Sequence, residues 1–88
     1  MGEYLQLRPD ATAWREVEGE VIALGLESST YFGTNASGAL LWKRLAEGVT
    51  REQLIDELVT AFGLETSRAE ADVDAFVADL RGRGLLAE

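Results

Sequence analysis

The chain has 88 residues, 47% of them hydrophobic and 27% charged, the balance of a folded globular protein rather than a disordered one. A chain of this size buries only about 60 to 65% of its unfolded surface. Residues 1–88 are therefore read as a single domain with a simple or shared function. The sequence contains no cysteine and no histidine. Their absence removes disulfides, thiolate metal sites, cysteine nucleophiles, the commonest zinc ligands and the commonest general base, so no catalytic residues, no metal and no cofactor are expected.

Eight Lys and Arg against 16 Asp and Glu give a net charge of −8. The excess is spread along the chain: residues 1–34 carry two basic and six acidic groups, residues 35–88 six and ten. Such a field repels phosphate backbones and anionic bilayers, so neither nucleic acid nor membrane is expected as a partner. The opening Met1-Gly2-Glu3-Tyr4-Leu5-Gln6-Leu7 lacks the basic and apolar regions of a signal peptide, and Gln6 breaks the myristoylation pattern that Met1-Gly2 begins. No stretch approaches the 18 or so apolar residues of a membrane span, and a cytoplasmic location is expected.

Taken in chain order, Tyr4-Leu5-Gln6-Leu7-Arg8 alternates like an edge strand that Pro9-Asp10 ends. The runs Trp14–Val17 and Val21–Leu26 flank Glu18-Gly19-Glu20 and predict a hairpin. In the second run the large residues Ile22, Leu24 and Leu26 share one face, and that face is expected to meet the helices. Glu27 to Thr30 form a polar turn, and Tyr31 to Thr34, inside "STYFGTN", form a third short strand. From Asn35 the apolar period changes from two to about 3.6. Asn35 is a good N-cap for a first helix with Leu40, Leu41, Trp42 and Leu45 in its stripe and a stop at Gly48. Thr50-Arg51-Glu52-Gln53 has the form of a capping box opening a second helix, with Leu54, Ile55, Leu58, Val59 and Phe62 inward and Gly63 at its end. Ser67-Arg68-Ala69-Glu70 repeats the device for a third helix running to about Arg81, with Ala69, Val73, Phe76, Val77 and Leu80 on one side. The fold class is α+β: a small three-stranded antiparallel sheet followed by three helices, the outline of a winged helix-turn-helix domain.

Most site chemistries fail on this sequence. The glycines do not fall into a phosphate-binding pattern, and Asp72, Asp74 and Asp79 spread around their helix, so they read as a solvated face rather than a metal site. A winged-helix DNA-binding regulator would have to insert a third helix carrying Glu70, Asp72, Asp74 and Asp79 into the major groove. None of Ser28, Ser29, Ser37 and Ser67 has the Asp-Ser-Leu setting of an acyl carrier. What is left is the aromatic pair Tyr31-Phe32. Either the two side chains merely finish the sheet from opposite faces, or the third strand is an exposed edge beside the third helix, leaving a groove where an extended peptide adds a strand.

The order of segments "GEVIALGLESSTYFGTNASGALLW", "LAEGVTREQLIDELVTAFGL" and "ADVDAFVADLRGRGLL" resembles the PqqD-like family, the RiPP recognition elements that serve ribosomally made, modified peptides. The likeness covers about residues 14 to 87. Gly33, Asn35, Trp42, Gly48, Asp72, Val73, Phe76, Leu80 and Gly84 match the family pattern, whereas Thr34 stands where the family usually has leucine. The resemblance implies a non-catalytic protein that takes the leader region of a precursor peptide as an extra strand. It is most similar to the stand-alone leader-binding proteins of lasso peptide biosynthesis, whose partner is a separate leader peptidase with a cysteine-protease-like fold. A PqqD-type chaperone serving a radical-SAM enzyme is the alternative. Carried over residue by residue, the resemblance assigns Tyr31, Phe32, Gly33 and Thr34 to the strand edge and Asp72, Val73, Phe76 and Leu80 to the helix wall. Asp72 would pair with a basic leader residue, and the i, i+7 spacing of Val73 and Leu80 also marks them as core.

Overall fold

A computed structural model describes residues 3–87, so the Met1-Gly2 opening lies outside the described residues. Five short strands and three helices follow in the order β1 (Tyr4–Leu5), β2 (Thr12–Val17), β3 (Glu20–Gly25), β4 (Tyr31–Gly33), α1 (Ala36–Glu47), β5 (Val49–Thr50), α2 (Arg51–Phe62) and α3 (Thr66–Gly82). The α+β class and the three-stranded antiparallel sheet, in the order β2-β3-β4, are as the sequence implies. The hairpin closes through a two-residue turn, with Val17 paired to Glu20 and both Glu18 and Gly19 at positive φ (53° and 81°). That is the turn whose twist suits a tight hairpin, and Gly19 supplies it without a Cβ penalty.

The N-terminal run does not join this sheet. β1 pairs with β5 in a separate two-stranded ribbon, and Leu7 bridges Leu86 near the C-terminus. The Leu7 amide donates to the Leu45 carbonyl at the end of α1, and the Arg8 amide to that of Leu85. The segment thus ties the end of α1 to the end of the chain.

The sheet turns its other face inward from the one expected. Val21 and Ala23 are wholly buried with Trp42 and Leu45 of α1, while Ile22 and Leu26 are exposed and Leu24 is half-buried. The reason is volume. With Trp42 filling the space beneath the sheet, the strand above it needs small side chains, and the pleat then sends Ile22, Leu24 and Leu26 to the opposite face.

The helix starts follow the sequence signals at two sites out of three. Asn35 accepts from the Gly38 amide, and Thr50 and Gln53 form a complete capping box. The third differs: α3 begins two residues earlier, with Glu65 at its N-cap and no side-chain cap bond, so the Ser67 box does not form. Leu54, Ile55 and Leu58 are buried as expected, whereas Val59 is half-buried and Phe62 is exposed at the C-terminal end of α2. Arg44 of α1 holds Glu57 of α2 at 2.7 Å, and Arg51 of α2 holds Asp74 of α3 at 2.7 Å, so each helix is pinned to the next. Among the described residues no helix is long and apolar enough to cross a membrane.

Candidate functional site

β4 pairs on one side only. Its register with β3 is Ile22 to Gly33, Ala23 to Phe32 and Leu24 to Tyr31. Just outside these pairs, the Gly25 amide donates to the Thr30 carbonyl at 2.8 Å and the Thr34 amide to the Val21 carbonyl at 2.9 Å. In an antiparallel ladder bonded and non-bonded pairs alternate, so Phe32 turns its N–H and C=O toward β3. Tyr31 and Gly33 must then turn theirs away from the sheet. On that side no further strand is present among the described residues, and this is the open edge.

Thr34 ends the edge in a particular way. Its Oγ1 accepts from the Val21 amide at 3.1 Å while its own amide donates to the Val21 carbonyl. The threonine hydroxyl takes the place of a backbone acceptor and lets the chain leave the ladder for Asn35 and α1. The position at which this chain departs from the pattern it resembles therefore has a local structural use.

Beside the edge lies a groove of about 500 Å³. Phe32, Gly33 and Thr34 form one wall, and Arg68, Asp72, Ala75, Phe76 and Asp79 of α3 with its C-cap Arg83 form the other, with Gly38, Leu41 and Leu58 at its floor. Gly38 allows the walls to close. A Cβ there would come within 2.9 Å of the Thr34 Cβ and 3.3 Å of the Phe76 ring, so any larger residue would push α1 away from β4 and α3.

Phe32 points inward and is held on two sides. Its ring meets Trp42 edge-on with centroids 5.2 Å apart, and the Arg83 guanidinium sits 4.8 Å from its centroid. Arg83 also bonds Asp79 at 3.2 Å, while Arg68 bonds Asp72 at 3.2 Å. Phe76 is thus flanked along the helix by two ion pairs of opposite orientation, leaving the wall electrically balanced in a chain of net charge −8.

The eight residues singled out in the sequence fall into three groups. Phe32, Gly33, Thr34, Asp72 and Phe76 meet in the groove. Val73 and Leu80 are fully buried behind the helix wall, where their side chains offer the groove no surface. Tyr31 belongs to the edge through its backbone, but its side chain is 72% exposed on the outer face of the sheet. Asp72 is already paired with Arg68 rather than waiting for a cation. Sequence reasoning missed Gly38, Arg68, Ala75, Asp79 and Arg83. Positions 68, 72, 75, 76, 79 and 83 share one helical face, and that spacing was the available signal.

Comparison with known proteins agrees with this geometry. The chain matches two solved structures over nearly its whole length. One, described as TbiB1 in complex with the TbiA(β) leader peptide, is 30% identical, with 92% of this chain and 93% of that chain covered and a TM-score of 0.84. The other, described as lasso peptide synthetase B1 complexed with the leader peptide, is 24% identical, with 96% and 98% covered and a TM-score of 0.81; at that identity it speaks for the fold alone. No curated protein matches the sequence. The profile of the family described as coenzyme PQQ synthesis protein D (PqqD) matches residues 20–86, from the first residue of β3 to the bridge at Leu86, and the chain belongs to that family.

Proposed function

We propose that this protein is a non-catalytic recognition element. It binds the leader region of a ribosomally made precursor peptide as an added antiparallel strand on β4, with the inward side chains of the peptide lying along α3. It then presents the precursor to a separate enzyme, the cysteine-protease-like leader peptidase of a lasso-type pathway. The observation that carries the reading is the open edge of β4, whose outward backbone groups at Tyr31 and Gly33 stand beside the α3 groove. The likeness to a chain solved with a leader peptide supports a leader as the ligand.

Magnitudes show how the two halves of the site share the task. Each added backbone hydrogen bond contributes a net of about 0.5–1.5 kcal/mol, while ordering each peptide residue costs roughly 1–2 kcal/mol. Main-chain pairing at Tyr31 and Gly33 therefore does little more than offset the ordering of the strand. Net affinity must come from side chains, and one large apolar residue buried between Phe32 and Phe76 adds about 1.5–3 kcal/mol. Pairing sets register and the groove selects sequence.

Fluorescence polarisation with a labelled leader peptide from a lasso-type precursor tests the reading. Saturable binding at micromolar concentration is expected, and no binding at tens of micromolar overturns it. The family match favours a second reading, a PqqD-type chaperone that passes its peptide to a radical-SAM enzyme by the same edge. The two differ in which enzyme, peptidase or radical-SAM protein, co-purifies with the peptide-loaded chain. Binding of duplex DNA that is released by salt would instead support a winged-helix regulator.

A further inference from the structure

Gly33 has no local reason to be glycine. It is absent from the positive-φ residues, and a Cβ built on it would meet only the Val21 carbonyl oxygen at 3.7 Å, an ordinary contact. Glycine weakens a strand, and here it sits in a three-residue edge strand where weakness matters most. Its nearest neighbours on the outer face of the sheet are apolar, with Arg15 of β2 beyond Ile22. Ile22, directly across on β3, is 42% exposed, and Tyr31 stands two residues before Gly33 on the same face, opposite Leu24. Beside it, Ala13, Trp14, Arg15, Ile22, Leu24 and Tyr31 line a shallow depression of about 320 Å³. A missing side chain between an exposed isoleucine and an exposed tyrosine is a notch.

A strand added to β4 fills this notch by its own periodicity. Where its residue opposite Phe32 faces the groove, the next residue, opposite Gly33, faces outward. That side chain meets no side chain on β4 and reaches across the glycine to Ile22. A large ring lying over a glycine in the neighbouring strand is a known way of restoring the packing the glycine lacks. We infer that the outer face of β4 carries a second side-chain subsite, the notch over Gly33 between Ile22 and Tyr31. It takes an aromatic or large aliphatic side chain from the residue of the bound peptide that lies opposite Gly33. The inference rests on the strand-addition reading and deepens it: two adjacent peptide residues are read, one on each face of the sheet.

The test uses random 14-residue peptides displayed on mRNA and selected against the full chain. Enriched peptides are expected to carry a large apolar residue at the outward position adjacent to the groove anchor. Replacing that residue with serine should weaken binding to the wild-type chain roughly tenfold, the loss of one partly buried apolar side chain. The same replacement should change little in Gly33→Val, whose side chain occupies the notch while leaving backbone pairing intact, or in Ile22→Thr, which removes the far wall. Circular dichroism melts check that both variants fold, and Ile22→Thr carries the test alone if Gly33→Val does not. Peptides that bind wild type and both variants with the same serine penalty overturn the notch and leave strand addition standing. If no peptide is enriched at all, the strand-addition reading falls and the notch with it.

Discussion

The two outer edges of the three-stranded sheet are treated differently by the sequence. β2 is six residues long, bears Arg15 and Glu16, and has Glu16 tied to Lys43 of α1 at 3.1 Å. Charges of this kind discourage a further strand. β4 is three residues long, bears no charge, and faces a groove rather than open solvent along its inner side. An uncharged edge is a liability unless something is meant to pair with it. The contrast within one sheet therefore says more than the exposure of β4 alone, because the same chain shows what its guarded edge looks like.

Both edges rest on Trp42, whose ring lies 6.0 Å from Trp14 of β2 and 5.2 Å from Phe32 of β4. Trp42→Ala should have the largest effect of any change considered, a loss of about 3–5 kcal/mol read from urea unfolding. The comparison sharpens in how that loss is shared. β2 keeps its six-residue ladder with β3, whereas β4 has three paired residues and depends on the Phe32 contact. In a milder Trp42→Phe variant, native-state hydrogen exchange should therefore show the Phe32 and Thr34 amides, which face β3, losing protection before the β3-facing amides of β2.

Proline tests the two edges directly. At Gly33 it removes an amide that points away from β3, so the fold should keep its melting temperature within a few degrees while leader binding weakens more than about tenfold. Glu16 is the matching position on the other side. The turn closing at Val17 and Glu20 alternates the ladder so that the Glu16 amide also points outward, and Glu16→Pro should leave binding unchanged. Equal losses from both substitutions would break the distinction between the edges. Phe32→Pro is a poorer probe, because that amide faces β3 and its loss would damage the sheet itself.

The helices and strand order were legible because they rest on local chemistry: the Asn35 cap, the Thr50–Gln53 box and the Glu18-Gly19 turn each act within a few residues. The inward face of β3 was not, because it depends on what lies beneath. Large residues ordinarily mark the buried face, but Trp42 takes up the space, and only knowledge of its position would favour Val21 and Ala23 over Ile22 and Leu24. The same inversion makes the notch beside Gly33 invisible in sequence, since Ile22 was expected in the core. The groove was half legible. Its aromatic residues stood out, while Arg68, Asp72, Asp79 and Arg83 passed for an ordinary solvated surface, and each is indeed exposed or half-buried. Only their placement opposite β4 makes them a wall.

The smallest effect belongs to the far side of α3, where Asp74 receives two bonds from Arg51, at 2.7 and 2.9 Å. The hydrogen bond from Arg51, with its positive charge adding to it, holds the Asp74 carboxyl below its ordinary value. A carboxylate whose pKa is lowered by folding contributes stability above its unfolded pKa, near 3.9, and that contribution disappears as pH falls through the lower folded value. Asp74→Asn should therefore lower the urea midpoint slightly at pH 7, and the difference from wild type should shrink as the pH falls below about 4. The pair is exposed, so the effect stays small at any pH and should fade further in high salt. Leader binding should be untouched, because Asp74 faces α2 while Asp72 faces the groove. A binding defect in Asp74→Asn comparable to one in Asp72→Asn would mean that the two sides of α3 are coupled, and the groove face could no longer be treated as a separate surface.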